Sequence, residues 1–144
     1  MNKRSRQRGV AIVEFALILP MLLLMTFITT EFGRALFQYH SVVMSARDAA
    51  RYLALQTPGT QQTQAANLVV YGNTAGTGSP LALGLSTSHV QAPVWQAAGV
   101  EPVINTVTVR VSGYQFRSLF ASVFGHQLGT YTYSDITATM RSYL

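Results

Sequence analysis

Hydrophobic and polar positions divide this chain into stretches of different period. From Val10 to Thr30 (VAIVEFALILPMLLLMTFITT) the sequence is apolar without alternation, and its one charge is Glu14. As a helix rising about 1.5 Å per residue, that run reaches roughly 30 Å, the hydrocarbon thickness of a bilayer. A core helix apolar on all sides would need protein all around it, and a chain of 144 residues has little to offer. The pattern therefore predicts a membrane helix over residues 10–30. Pro20, lacking an N–H, is expected to kink or loosen it.

Beyond residue 30 the period becomes amphipathic. Phe32, Ala35, Tyr39, Val42, Ala46, Ala49 and Leu53 recur at spacings of three and four, while Arg34, Gln38, Ser41, Ser45, Arg47, Asp48 and Arg51 fall largely elsewhere on the wheel. One helix is expected to leave the membrane, continue to about residue 57 before Pro58–Gly59, and pack its stripe on a soluble domain. Residues 61–71, with Ala65, Leu68 and Val69 and a stop at Gly72–Asn73, predict a second short helix.

Residues 72–102 collect glycine and proline without a regular period, although LSTSHVQAPVW over 85–95 has room for an edge strand limited by Pro93. The clearest strand lies within 103–113: Val103, Val107, Val109 and Val111 on one face, Thr106, Thr108, Arg110 and Ser112 on the other. Within 130–142 the apolar phase shifts between Tyr131/Tyr133 and Ile136/Ala138/Met140, as a bulged strand or two strands would require. Phe116, Leu119, Phe120, Val123 and Phe124 match one helical face closed by Gly125, expected to cover the sheet or to form an exposed surface for a partner or a membrane. The fold class is α+β: a long N-terminal helix, membrane-spanning in its first half, on a small antiparallel sheet in an extracytoplasmic domain of residues 31–144.

Charge changes the picture at one end only. The formal net charge is +5, but Lys3, Arg4, Arg6 and Arg8 all precede the apolar run; the remainder, six basic against five acidic groups, is nearly neutral. Residues 1–8, polar, basic and too short to fold, read as a disordered tail held near anionic headgroups, and with Gly9 they form a basic leader. Their positive charge favours a cytoplasmic N-terminus and an extracytoplasmic C-terminal domain. Without a basic patch on the folded part, nucleic acid is not an expected partner. The run closes with Thr29-Thr30-Glu31-Phe32 and has no small-x-small site, so removal as a secretory signal is not expected.

Candidate chemistry is sparse. There is no cysteine, which excludes disulfide and zinc–cysteine sites. His40, His89 and His126 are far apart with no H-x-x-x-H, no G-x-S-x-G occurs, and Gly72, Gly76 and Gly78 lack the G-K-[ST] of a phosphate loop. No catalytic residue, metal, cofactor or small-molecule substrate is expected, and an anchored hydrolase would need a constellation the sequence lacks. Glu14 is the exception to the apolar pattern, since a charge at mid-membrane costs on the order of 2.5–3.5 kcal/mol and less near an end. Either it reaches headgroup water or is protonated, or it meets a cation of another chain.

The basic leader ending in Gly9, the segment Val10 to Phe15 with Glu14 five residues after the glycine, and the unbroken apolar helix together resemble the class III signal of type IV pilin-like proteins. GVAIVEFALILPMLLLMTFITTEFGRALFQYHSVVMSARDAARY (residues 9–52) and the ending ITATMRSYL (136–144) resemble the TadE family, minor pseudopilins of tight-adherence (Tad/Flp, type IVb) pilus systems. The resemblance implies a prepilin peptidase cutting between Gly9 and Val10, and Glu14 and Phe15 as assembly and recognition positions. Glu14 would then pair with a newly exposed N-terminal amine. Implied partners are membrane lipids, the peptidase, other Tad pseudopilins and the assembly platform. The expected role is pilus biogenesis supporting adherence or secretion; the alternative is an inner-membrane scaffold that never enters a filament.

Overall fold

The computed structural model describes residues 4–118, 122–123, 126–127 and 130–143. A single helix, α1 (Arg4–Ala54), runs through Pro20 without interruption and accounts for more than a third of the chain. It begins inside the basic leader, so Arg4 to Gly9 are helical rather than the unfolded tail expected. The segment holds Arg4, Arg6, Arg8 and Gln7, good helix formers, and its lone Gly9 costs only about 1 kcal/mol.

The α+β architecture stands. After α1 come α2 (Gln62–Tyr71), a turn of 3₁₀ helix at Thr87–His89, and strands β1 (Val94–Ala98), β2 (Ile104–Val111), β3 (Gln115–Arg117), β4 (Ser122–Val123), β5 (His126–Gln127), β6 (Thr130–Thr132) and β7 (Ile136–Arg141). The main sheet is antiparallel in the order β1-β2-β7; β3 pairs with β6 and β4 with β5.

Register explains why the valine alternation of β2 selects one face. Val107, Val109 and Val111 stand opposite Met140, Ala138 and Ile136 of β7, so the apolar positions of both strands coincide across the pair. Thr108 and Thr139 meet on the other face, hydroxyl to hydroxyl at 2.8 Å. Arg110 at the same face bonds the Asp135 carboxylate, Nε to Oδ2 at 2.9 Å. A shift of one residue would exchange the two faces, which is what fixes the pairing.

Against the apolar face lies the second half of α1. Val42, Ala46, Ala49 and Leu53 have no exposed surface, and α2 adds Ala65, Val69 and Val70 to the same core. Small alanines at four buried α1 positions, Ala46, Ala49, Ala50 and Ala54, let its backbone come close to the sheet and to α2. The stripe expected to run from Phe32 thus serves the core only from Val42 onward; Phe32 is 66% exposed. Gln38 and Ser45, placed by the wheel on the polar side, are buried, with Ser45 Oγ donating to the Val42 carbonyl at 3.0 Å.

Several local expectations are corrected. The helix stops at Ala54, short of residue 57, because the last turn tightens (Gln56 N to Leu53 O, 3.0 Å) and the Ala54 carbonyl accepts the Tyr143 N–H at 3.1 Å. Residues 85–95 form the 3₁₀ turn and an isolated bridge at Val90, and strand geometry starts only at Val94, after the donor-less Pro93. The helix expected over Phe116 to Phe124 is replaced, where described, by strands β3 and β4; Leu119, Phe120 and Phe124 lie outside the described residues. Phe116 is buried between exposed Gln115 and Arg117, a period of two that the longer-range spacing concealed. The phase shift after Tyr133 is a change of sheet, with β6 pairing β3 and β7 pairing β2.

Candidate functional site

The residues singled out by sequence all lie at the N-terminal end of α1. Gly9 and Val10 are consecutive in the helix, and Val10, Glu14 and Phe15 are exposed on it, far in sequence from every element of the sheet domain. The apolar window of this helix is long enough to cross a membrane and none of it is buried inside the protein. Such a surface is unfavourable in water at about 25 cal/mol per Å² and neutral in lipid, so a bilayer or neighbouring helices are its natural surroundings. Glu14 has no hydrogen bond or ion pair among the described residues.

A second cluster, not foreseen from sequence, sits where α1 leaves the apolar stretch. Arg34 reaches back one turn to Glu31, Nε to Oε1 at 3.1 Å and Nη2 to Oε2 at 3.0 Å, while Nη2 also donates to the Arg117 carbonyl at 2.6 Å. Its guanidinium lies 4.5 Å from the Phe116 ring centroid. The fork therefore satisfies a carboxylate on the helix and a backbone carbonyl at the end of β3 at once, a geometry lysine cannot reproduce. Around it, Tyr133 Oη donates to the Ala35 carbonyl at 2.8 Å, and Tyr114 Oη donates to Gln38 Oε1 and the Leu83 carbonyl, both at 3.1 Å. Tyr114 stacks on Tyr133 with centroids 5.3 Å apart. This clamp holds the β3–β6 pair to the helix at residues 31–38. Its legible trace was E-x-x-R at helical spacing beside an apolar run, together with the tyrosines and phenylalanine near 114–133; nothing in one sequence says that these meet.

Burial raises the Tyr114 phenol from its ordinary 10.0 to about 12, helped by neighbouring Tyr133 and opposed by Arg34. Tyr133 moves in the same direction, again through burial. The sign follows: below pH 10 both folded and unfolded chains keep the Tyr114 proton, and between 10 and 12 only the unfolded chain loses it, so stability falls as pH rises through that window. The contribution is of order 1–2 kcal/mol after allowance for solvent screening. Unfolding midpoints measured across this range should fall more steeply for the native chain than for Tyr114→Phe. Equal slopes would contradict the account.

Ser86 Oγ lies 3.0 Å from His89 Nδ1, but that nitrogen also accepts the Ser86 N–H at 3.1 Å, which makes the pair a capping box on a 3₁₀ turn. Among the described residues no group of three His, Cys, Asp or Glu side chains is placed to hold a metal ion.

The helix that carries Gly9, Glu14, the clamp arginine and the first core alanines has a counterpart in known sequences. Residues 9–51 match the TadE-like protein family. No curated protein and no solved structure matches the chain. The TadE-like segment starts at Gly9 and ends within the last turns of α1, so it takes in the apolar run, the Glu31–Arg34 pair and the core stripe through Ala49, but none of the sheet. That family is structural and pilus-related, and the match points to a membrane protein associated with a Tad pilus. The clamp couples the TadE-like helix to the β3–β6 pair, which no match covers.

Proposed function

We propose that this chain is a minor pseudopilin of a Tad/Flp (type IVb) pilus system: a membrane-anchored assembly subunit, cut by a prepilin peptidase between Gly9 and Val10, with its sheet domain on the extracytoplasmic side of the inner membrane. The observation that carries the reading is the TadE-like helix itself, whose apolar half is wholly unburied and contains a single charge, Glu14. Before assembly the bilayer holds that surface. On incorporation it is exchanged for the helices of neighbouring pseudopilins, and Glu14 pairs with the amine that the cut creates at Val10. Phe15 sits beside it as a recognition position, and the platform proteins of the pilus machine draw the subunit from the membrane.

The test of the reading is where the processed chain goes. A phosphatase fused after Leu144 is expected to be active, and the chain is expected in the sheared-pilus fraction of cells that assemble pili. Complete retention in the inner membrane after shearing would instead make it a scaffold of the envelope machinery. The Glu14 role has its own check: Glu14→Gln should preserve insertion and processing while lowering crosslinking to partner pseudopilins, because the amide keeps the shape and loses the charge. If Glu14 only reaches headgroup water, the substitution is nearly silent, and unchanged crosslinking per processed chain rejects the pairing.

A further inference from the structure

Above the apolar run, α1 and the β3–β6 pair enclose a groove of about 560 Å³. Its floor is Ile28, Phe32 and Leu36 of the helix; its wall is Phe116, Tyr131 and Tyr133. The volume falls in the range of roughly 300–1,000 Å³ typical of sites for single small ligands. Glu31 also lines it, but its carboxylate is neutralised by Arg34, so no uncompensated charge faces the space.

The position of the groove decides its occupant. Ile28 belongs to the apolar run, and the hydroxyls of Thr26, Thr29 and Thr30 donate to the carbonyls of Leu22, Met25 and Thr26 at 2.8 Å each, so these polar groups need no water up to the end of that run. From Ile28 to Leu36 the helix climbs about 12 Å. The headgroup zone of one leaflet is roughly 5–8 Å deep. The groove thus opens into hydrocarbon at its lower end and rises through the headgroup zone, and Tyr133, bonded to the Ala35 carbonyl, stands at the level at which aromatic side chains favour a membrane surface. In a bilayer, lipid is the solvent of this opening, present at far higher concentration than any protein partner.

We propose that the groove seats an acyl chain of one phospholipid from the leaflet on the side of the sheet domain. The clamp of Arg34, Tyr133 and Tyr114 fixes the wall of that seat to its floor. The seated lipid covers Phe32, Leu36 and Tyr131, which are 66%, 54% and 61% exposed in the isolated chain. This rests on the membrane-spanning reading of α1, and the test separates the two.

Trp95 is the one tryptophan, and its Nε1 is buried without a partner among the described residues, so Trp95→Phe removes a background fluorophore and no hydrogen bond. In that background, single tryptophans are placed in the full chain by Leu36→Trp inside the groove, Phe37→Trp at nearly the same height outside it, and Leu22→Trp in the span. The chains are reconstituted into phosphatidylcholine vesicles carrying brominated acyl chains, with iodide as the aqueous quencher. The expected result is that Leu36→Trp and Leu22→Trp lose comparable fractions of emission to the brominated lipid, while Phe37→Trp loses clearly less and is quenched by iodide. Equal lipid quenching at 36 and 37 would mean that height alone matters and would overturn the proposal, as would quenching of Leu36→Trp by iodide. Shielding of Leu36→Trp from both quenchers would assign the groove to protein and overturn it too. An unquenched Leu22→Trp would remove the membrane span and the proposal with it, whereas a quenched Leu22→Trp beside any of the other failures leaves the span intact. Tyr131→Trp, on the opposite wall, supplies an independent probe should Leu36→Trp fail to fold.

Discussion

Gly9→Val is expected to leave the chain at full length in cells with an active prepilin peptidase, against loss of residues 1–9 from the native chain, with intact mass of the membrane protein as the readout. Glycine at that position lets a protease approach the backbone without a side chain in the way; valine puts a β-branched group beside the scissile bond. The substitution does not weaken the helix, since valine is the better helix former of the two. A further consequence links it to Glu14. Without the cut, the nitrogen of Val10 is a neutral amide, and the cation proposed to meet the Glu14 carboxylate never forms. Gly9→Val and Glu14→Gln should therefore lower crosslinking to partner pseudopilins alike, and the double substitution should lower it no further than Gly9→Val alone. A Gly9→Val chain that still begins at Val10 would remove the proposed cleavage from the account.

The parts of this molecule legible in its sequence are those whose periodicity is set by one partner. The run from Val10 to Thr30 answers only to its surroundings, so its length and lack of charge speak directly. The valines of β2 answer to one buried face, and alternation marks it. Where two partners compete, the pattern misleads. Phe32 and Tyr39 continue the helical spacing of the core stripe, yet they face the groove beside the β3–β6 pair, because the core shared with the main sheet takes up this stripe only from Val42 onward. Phe116 fits a helical face with residues downstream, but its burial comes from Tyr131 across the strand pair and from Arg34 on a distant helix. The clamp was illegible for the same reason: Arg34 and Arg117 are 83 residues apart, and nothing local in either segment encodes their meeting. For the N-terminal residues the difficulty is of another kind. Gly9, Glu14 and Phe15 do their proposed work with a peptidase and with other chains, so a single chain displays only a helix that carries all three, with Glu14 and Phe15 exposed on it.

Leu53→Asp is expected to abolish the folded sheet domain, and Leu55→Asp, two residues on, to leave it unchanged. Both leucines look alike in composition, but Leu53 continues the Val42, Ala46, Ala49 spacing and has no exposed surface, while Leu55 lies just past the end of α1 and is 62% exposed. Truncating a buried leucine alone costs about 2–5 kcal/mol. An aspartate there adds the desolvation of an unpaired charge, several kcal/mol more, or the same toll as a raised carboxyl pKa. The sum matches the roughly 5–15 kcal/mol by which whole domains are stable. At residue 55 the substitution exchanges an exposed apolar group for a solvated charge, an effect within about 0.5 kcal/mol. In detergent, limited proteolysis of the full chain with Trp95 emission as a second probe should show a protected domain for Leu55→Asp and none for Leu53→Asp. Because the apolar half of α1 is distant from both positions, membrane insertion should persist in both variants, so that Leu53→Asp yields an anchored helix with an unfolded C-terminal part. Equal protection of the two would mean that the sheet does not depend on α1 for its cover, and the packing of Val42, Ala46 and Ala49 against β2 and β7 would have to be abandoned.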